Sequence, residues 1–127
     1  MPYIADLHLH SAYAYATSKS LTLGNLAKWA KIKGIDLLSS ADFTHSAWFD
    51  ELNQKLTPDG GGLYQLDGVH FVLGTEVSCV YKQDGRQRRV HTLLFAPDLA
   101  TVARLNLALS RHGNRKSDGR PTLTMSA

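Results

Sequence analysis

Residues 3–10 read Tyr3-Ile4-Ala5-Asp6-Leu7-His8-Leu9-His10. Through Leu9 this is an apolar run with polar residues in alternate places, the pattern of a buried strand. Alternate side chains of a strand share a face, so Asp6, His8 and His10 line one side while Leu7 and Leu9 turn into packing on the other. The next two segments fix the fold class. Thr22 stands as an N-cap before Leu23, Leu26, Ala27 and Ala30 at helical spacing, and Gly34 supplies the stop, which predicts a helix over 23–33. Ile35 to Ala41 is a second short apolar run and a second predicted strand. Strand–helix–strand with short connections is a parallel βα arrangement, and the expected class is α/β.

The rest of the chain extends that pattern. Thr44 or Ser46 is placed to cap a helix over 47–56, ended by Pro58 and Gly60-Gly61-Gly62. Strands are predicted over 69–73, 75–81 and 89–95, the last two joined by the polar turn Lys82-Gln83-Asp84-Gly85-Arg86. Pro97 and Asp98 open a third helix with Leu99, Val102, Ala103, Leu105 and Leu109 on its apolar face. Residues 114–121 read as an extended polar loop, and no helix comes after Ser126. There is no internal repeat and no low-complexity linker.

Composition narrows the function classes. With 43% hydrophobic and 20% charged residues, the chain is not a disordered tail, a collagen-like fibre or a coiled coil. No apolar run approaches the roughly 20 residues that span a bilayer, so no membrane partner is expected. The N-terminus lacks a basic region followed by an apolar stretch, so no secretory leader is expected. Cys79, the only cysteine, allows no internal disulfide and fits a reducing, cytoplasmic setting. Net charge is +3 but unevenly spread: residues 1–81 sum to −3 and residues 82–120 to +6. A basic second half suits a phosphate backbone, although from charge alone a solvated face on a slightly basic protein is the favoured reading. The 127 residues make one modest domain, short of the roughly 200 that close a βα barrel.

Four places carry chemistry. His8 and His10 lie about 7 Å apart along one strand face, where imidazoles converge on metal, with Asp6 beside them to ligate or orient. Asp42 and His45 come after the second predicted strand; taken singly, such an Asp caps a helix and such a His sits on the surface. Glu76 opens an apolar strand in Gly74-Thr75-Glu76-Val77, where burial of a carboxylate calls for a cationic partner. His91 leads another apolar strand, where a lone His is more often a core or rim residue than a ligand.

Taken in series, Asp-x-His-x-His, a strand-end Asp, Gly-Thr-Glu and a His before an apolar strand resemble the PHP (polymerase and histidinol phosphatase) superfamily. Longer stretches resemble its endonuclease Q-like branch: His10-Ser11-x-Tyr13-x-x-Ala16-Thr17-Ser18-Lys19, Leu26-Ala27-x-Trp29-Ala30-x-x-Lys33-Gly34-Ile35, Asp42-Phe43-Thr44-His45-x-x-Trp48 and Arg111-His112-Gly113-Asn114-x-Lys116-Ser117-Asp118-Gly119-Arg120-Pro121. Together they cover essentially the whole chain.

The resemblance implies a distorted, TIM-like βα barrel with a multinuclear metal site, and metal-dependent phosphodiester hydrolysis. The implied substrate is DNA, cut next to deaminated bases or at abasic sites during repair. By position, Asp6, His8, His10 and Glu76 would be catalytic, and His8, His10, Asp42, His45, Glu76 and His91 would be metal ligands. Asp42, His45 or both would serve at the second motif. Zn²⁺ or Mn²⁺ would be the ion, with Mg²⁺ as an alternative. Lys19, Arg111, Arg115, Lys116 and Arg120 would contact the DNA backbone. The family continues past residue 127 with further ligand-bearing strands, so residues 1–127 are expected to be a partial PHP domain truncated at its C-terminal end. Its missing partner would be the remainder of the barrel, without which the chain is expected to be weak or inactive. The other readings are a small-molecule phosphoesterase of the histidinol-phosphatase kind and a non-catalytic DNA- or metal-binding remnant.

Overall fold

The structure is a computed structural model and describes residues 2–127. In chain order the elements are β1 (Ala5–Asp6), α1 (Leu23–Lys33), β2 (Leu37–Ser39), α2 (Ser46–Lys55), β3 (Thr57–Gly60), β4 (Leu63–Leu66), β5 (Val69–Gln83), β6 (Arg86–Ala96), α3 (Leu99–Leu109) and β7 (Thr122–Thr124). Among the described residues the fold is mixed α/β, with three helices and a seven-stranded sheet of order β1-β2-β5-β4-β3, β6 and β7 both pairing with β5. None of the described helices is long and apolar enough to cross a membrane.

The β1–α1–β2 unit has the expected parallel arrangement, with Ala5 opposite Leu37 and Asp6 opposite Leu38. Helix α1 starts and stops where its sequence dictates. The Thr22 side chain accepts from the Asn25 amide, and Gly34 takes φ 72° while the next amide, Ile35, reaches back to the Ala30 carbonyl at 2.8 Å. Leu23, Ala27 and Ala30 face the core. Helix α2 begins at Ser46 with His45 as its cap residue, so neither Thr44 nor Ser46 serves as the cap. Its Trp48 is buried and donates from Nε1 to the carbonyls of Ser40 and Ala41, both at 3.0 Å, which ties the helix to the end of β2.

Three local readings change. Strand β1 has two residues, where the apolar run predicted seven: β2 is its one neighbour among the described residues, and the Asp6 carboxylate takes the His8 amide out of ladder pairing at 3.2 Å. The segment around Pro58 forms a hairpin, β3–β4, turned by Gly60, Gly61 and Gly62 at φ 80°, 60° and 82°. The two strands predicted at 69–73 and 75–81 are one, running through Gly74. A Cβ there would run into Ser39 Oγ and come within 3.0 Å of the Phe95 ring, so glycine marks a close approach and not a break.

Strand β5 organises the molecule. Its first half lies between parallel β2 and antiparallel β4, and its second half lies between antiparallel β6 and parallel β7. The main core gathers α1, α2 and the first half around Phe43, Trp48, Phe71 and Leu73. A smaller cluster of Val77, Cys79, Leu109 and Leu123 seals the second half against α3 and β7.

Candidate metal centre

The end of β1, the turn after β2, the middle of β5 and one face of β6 converge on Glu76. This carboxylate is 3% exposed and stands between hydrogen-bonding partners on both oxygens. Oε2 meets His8 Nε2 and, at 3.1 Å, His10 Nε2. Oε1 meets His91 Nδ1 at 2.8 Å, with Arg120 Nη1 at 3.7 Å. Ligand atoms of His8, His10 and Glu76 all lie within 4.8 Å of one another. The His8 and His10 rings stand edge to face, 5.7 Å apart between centres.

The electrostatics derive from this geometry. Burial pushes the Glu76 carboxyl up, but the His8 hydrogen bond and the charges of His8, His10 and Arg120 outweigh it and hold the group below its usual range. His10 is raised, chiefly by its hydrogen bond to Asp42, with burial opposing and the charges of Asp42 and Glu76 adding.

Asp42 is the second organising carboxylate and is fully buried. Its Oδ1 accepts from His10 Nδ1 at 3.0 Å, and its Oδ2 accepts from both the amide and the hydroxyl of Ser11 at 2.6 Å. Ala41 and Asp42 both occupy left-handed backbone, φ 58° and 42°, which costs energy in residues other than glycine and asparagine. The pinning of Ala41's carbonyl by Trp48 and the three bonds to Asp42 hold that conformation. Asp42 thus keeps a proton on His10 Nδ1 and leaves Nε2, which faces Glu76, as the nitrogen that would give up its proton to a metal ion.

The remaining residues expected at the site take varied places. Asp6 turns its carboxylate back to the His8 amide. His45 is buried, its ring 4.5 Å from that of Tyr13, and its Nδ1 has no hydrogen-bond partner. Arg115 is half-buried and donates to the Thr44 carbonyl at 2.7 Å, spanning from its loop to the start of α2. Arg120 stands at the cluster, and Lys19, Arg111 and Lys116 are exposed. Two participants figured in the sequence only as members of the resemblance motifs, with no role at the site. Ser11 stood beside His10 and Gly119 in the polar loop; a Cβ on Gly119 would run into the Asp42 carboxylate, with Cγ at 2.6 Å.

A pair of imidazoles and a carboxylate, with one imidazole oriented by a second carboxylate, is a donor set suited to a divalent ion such as Zn²⁺ or Mn²⁺. Fold and site therefore define a class, α/β proteins with a metal-compatible histidine–carboxylate cluster built on the sheet. The chain is similar, within that class, to the lesion-specific endonuclease of Pyrococcus furiosus, with 34% identity and a TM-score of 0.84 over 97% of this chain and 29% of that one. It is equally similar to an endonuclease Q solved with a 27-mer duplex carrying an abasic lesion at its active site, at 35% identity and a TM-score of 0.84. An uncharacterised protein of Methanocaldococcus jannaschii is 26% identical over 121 residues, 94% of this chain. This chain spans 13% of that relative's length and 29% of the length of the two solved structures. No protein-family model matches it.

Proposed function

We propose that this chain is the first part of a PHP-type βα barrel and carries the metal-binding core of a DNA endonuclease of the endonuclease Q kind, acting beside deaminated bases or at abasic sites. The observation that carries the reading is the convergence of His8 Nε2, His10 Nε2 and Glu76 in a chain that overlays a lesion-bound endonuclease. His8, His10 and Glu76 hold the ion, which when bound supplies acidity to water and neutralises charge developing on phosphorus-bound oxygens.

The chain's own groups do the rest. Asp42 keeps the His10 proton on Nδ1. His91 holds the second oxygen of Glu76 and so fixes the plane of the carboxylate. Arg120, beside Glu76, is placed to meet a non-bridging phosphate oxygen. Lys19, Arg111 and Lys116, all exposed, are assigned to the DNA backbone by the resemblance.

The test is nicking of duplex DNA containing one uracil or one abasic site, by the chain alone and by the chain joined to the further length its relatives possess. Expected is cleavage confined to damaged duplex and lost both on chelation and in His8→Ala. Cleavage indifferent to chelator and to His8→Ala overturns the reading. Phosphate release from histidinol phosphate without nicking would replace it with a small-molecule phosphoesterase.

A further inference from the structure

Beyond the metal cluster, β5 and β6 continue as a two-stranded ribbon. Residues 82–90 are all exposed, and β7 accompanies the ribbon no further than Val80. Asp84 and Gly85 close it with φ 52° and 71°, the left-handed pair that a two-residue hairpin turn requires. The one acid of this segment is therefore accounted for by the turn.

Register sorts the ribbon's charges onto two faces. Ser78 lies opposite His91, Val80 opposite Arg89 and Lys82 opposite Gln87. Alternation places Glu76, Ser78, Val80 and Lys82 on one face, with His91, Arg89 and Gln87 across from them. Contacts agree: His91 reaches Glu76 at 2.8 Å, and Arg89 Nη1 donates to the buried Ser78 hydroxyl at 3.0 Å. The metal-centre face thus continues outward as Arg89 and Lys82. Arg86 and Arg88 project from the opposite face, the one whose inner half, Val77 and Cys79, packs on Leu109 of α3.

Among the described residues no carboxylate pairs with Lys82, Arg86, Arg88 or Arg89. Arg89 is oriented through one nitrogen by a neutral hydroxyl, which leaves its remaining donors and its full charge to a ligand. At about 3.4 Å per strand residue, Arg89 stands about 7 Å beyond His91, and Lys82 about 14 Å. Nucleic-acid charge repeats every ~3.4 Å along a strand's axis, so a row of cations of this length runs alongside the phosphates that flank the one at the cluster.

We propose that this face of the β5–β6 ribbon is a phosphate track, in which Arg89 and Lys82 bind the DNA backbone flanking the phosphate at the His8–His10–Glu76 cluster. The assignment rests on the endonuclease reading of the site and adds the direction in which the strand leaves it.

The experiment is fluorescence-anisotropy titration of the full chain with a duplex carrying one abasic site, across a salt series. Two double variants each remove two charges: Lys82→Ala/Arg89→Ala on the metal-centre face and Arg86→Ala/Arg88→Ala on the other. The first is expected to lose about 30-fold in affinity at 0.15 M salt and to reduce the salt slope by about 1.8, the value for two phosphate contacts. The second is expected to change affinity less than threefold, and Arg89→Lys to keep most of the salt slope. Equal losses in both doubles, the mark of a diffuse field, overturn the track, as do losses in neither. Metal-dependent nicking by wild type with equal doubles refutes the track and leaves the endonuclease reading standing. Face-dependent binding with no nicking even by the chain joined to the further length its relatives possess refutes that reading and leaves the track. Absence of duplex binding by wild type refutes both.

Discussion

Replacing Asp42 with Asn tests how the site is built, because the change keeps shape and removes one acceptor. Asp42 Oδ2 receives two donors from Ser11 and Oδ1 receives one from His10. In Asp42→Asn only one of these positions stays an oxygen. The Ser11 backbone N–H is a donor that cannot turn away, so the amide oxygen takes the Ser11 side and the NH₂ faces His10. His10 Nδ1 must then accept, which moves the ring proton to Nε2, the nitrogen that points at Glu76. A protonated Nε2 does not ligate metal.

Loss of such an orienting partner typically costs 10–100-fold in metal affinity, about 1.4–2.7 kcal/mol. The folding cost is smaller. The two Ser11 bonds fall from charge-assisted to neutral strength, about 1 kcal/mol each, partly offset because a buried charge no longer has to be desolvated. Competition of the protein with a chromophoric zinc chelator measures the first effect. Nitrogen-15 NMR of the histidine rings in metal-free protein, at a pH high enough for His10 to be neutral, reads the tautomer directly. Asp42→Asn within twofold of wild type in zinc affinity, with the His10 proton still on Nδ1, would refute the positioning role. Asp42→Ala is the harsher control, leaving the buried Ser11 amide unpaired at about 1–3 kcal/mol.

The same geometry sets further outcomes. Gly119→Ala drives a methyl into the Asp42 carboxylate and is expected to lower stability by about 1–3 kcal/mol and weaken zinc binding with it; an unchanged Tm would show that the approach is loose. Zinc at 100 times its Kd is expected to add about 2.7 kcal/mol to unfolding, measured by denaturant titration, and the gain should vanish in His8→Ala. Leu123→Ala empties a fully buried place in the cluster behind the second half of β5 and should cost about 2–5 kcal/mol in the same titration. The amide of Thr101, then its side chain, hold Asp98 below the usual carboxylate range. Because the folded value is depressed, the stabilisation is present above the unfolded value and is lost as pH falls through the folded one. The Tm gap between wild type and Asp98→Asn should therefore close on acidification, and a gap that widens in acid contradicts the cap.

The parts of the fold that were legible are those whose cause is local. Thr22, Gly34 and Asp98 cap the helices from within a few residues, and all three do so in the structure. The β3–β4 hairpin was not legible, since proline and three glycines oppose strand propensity and only pairing with β5 through β4 makes the segment extended. The continuity of β5 through Gly74 was hidden for a similar reason. The glycine reads as punctuation until Ser39 and Phe95, remote in sequence, are found pressed against it. At the site, the spacing of His8 and His10 and the placing of Glu76 in an apolar strand marked three residues that do converge. The partners of Asp42 were out of reach, because nothing local tells a helix-capping Asp from one that anchors a loop 31 residues away.

That anchoring explains why a polar loop near the end of the chain matters to histidines near its start. Residues 114–121 have the composition of a solvated connection, yet Asp118 accepts from the amide of Tyr15, Gly119 donates to the carbonyl of Tyr13, and Arg115 holds the carbonyl of Thr44. These bonds press Gly119 onto Asp42 and complete its burial. Water excluded from Asp42 cannot compete for Ser11 or His10, so the hydrogen bonds that set the His10 tautomer form at low local dielectric, where charge-assisted bonds are strongest. A side chain on Gly119 would reopen that contact, whereas its absence lets backbone close over carboxylate. The metal-facing geometry of His10 is thus settled by three segments far apart in sequence, the loops at 11–17, 40–45 and 114–121, and it should loosen when any one of them is loosened.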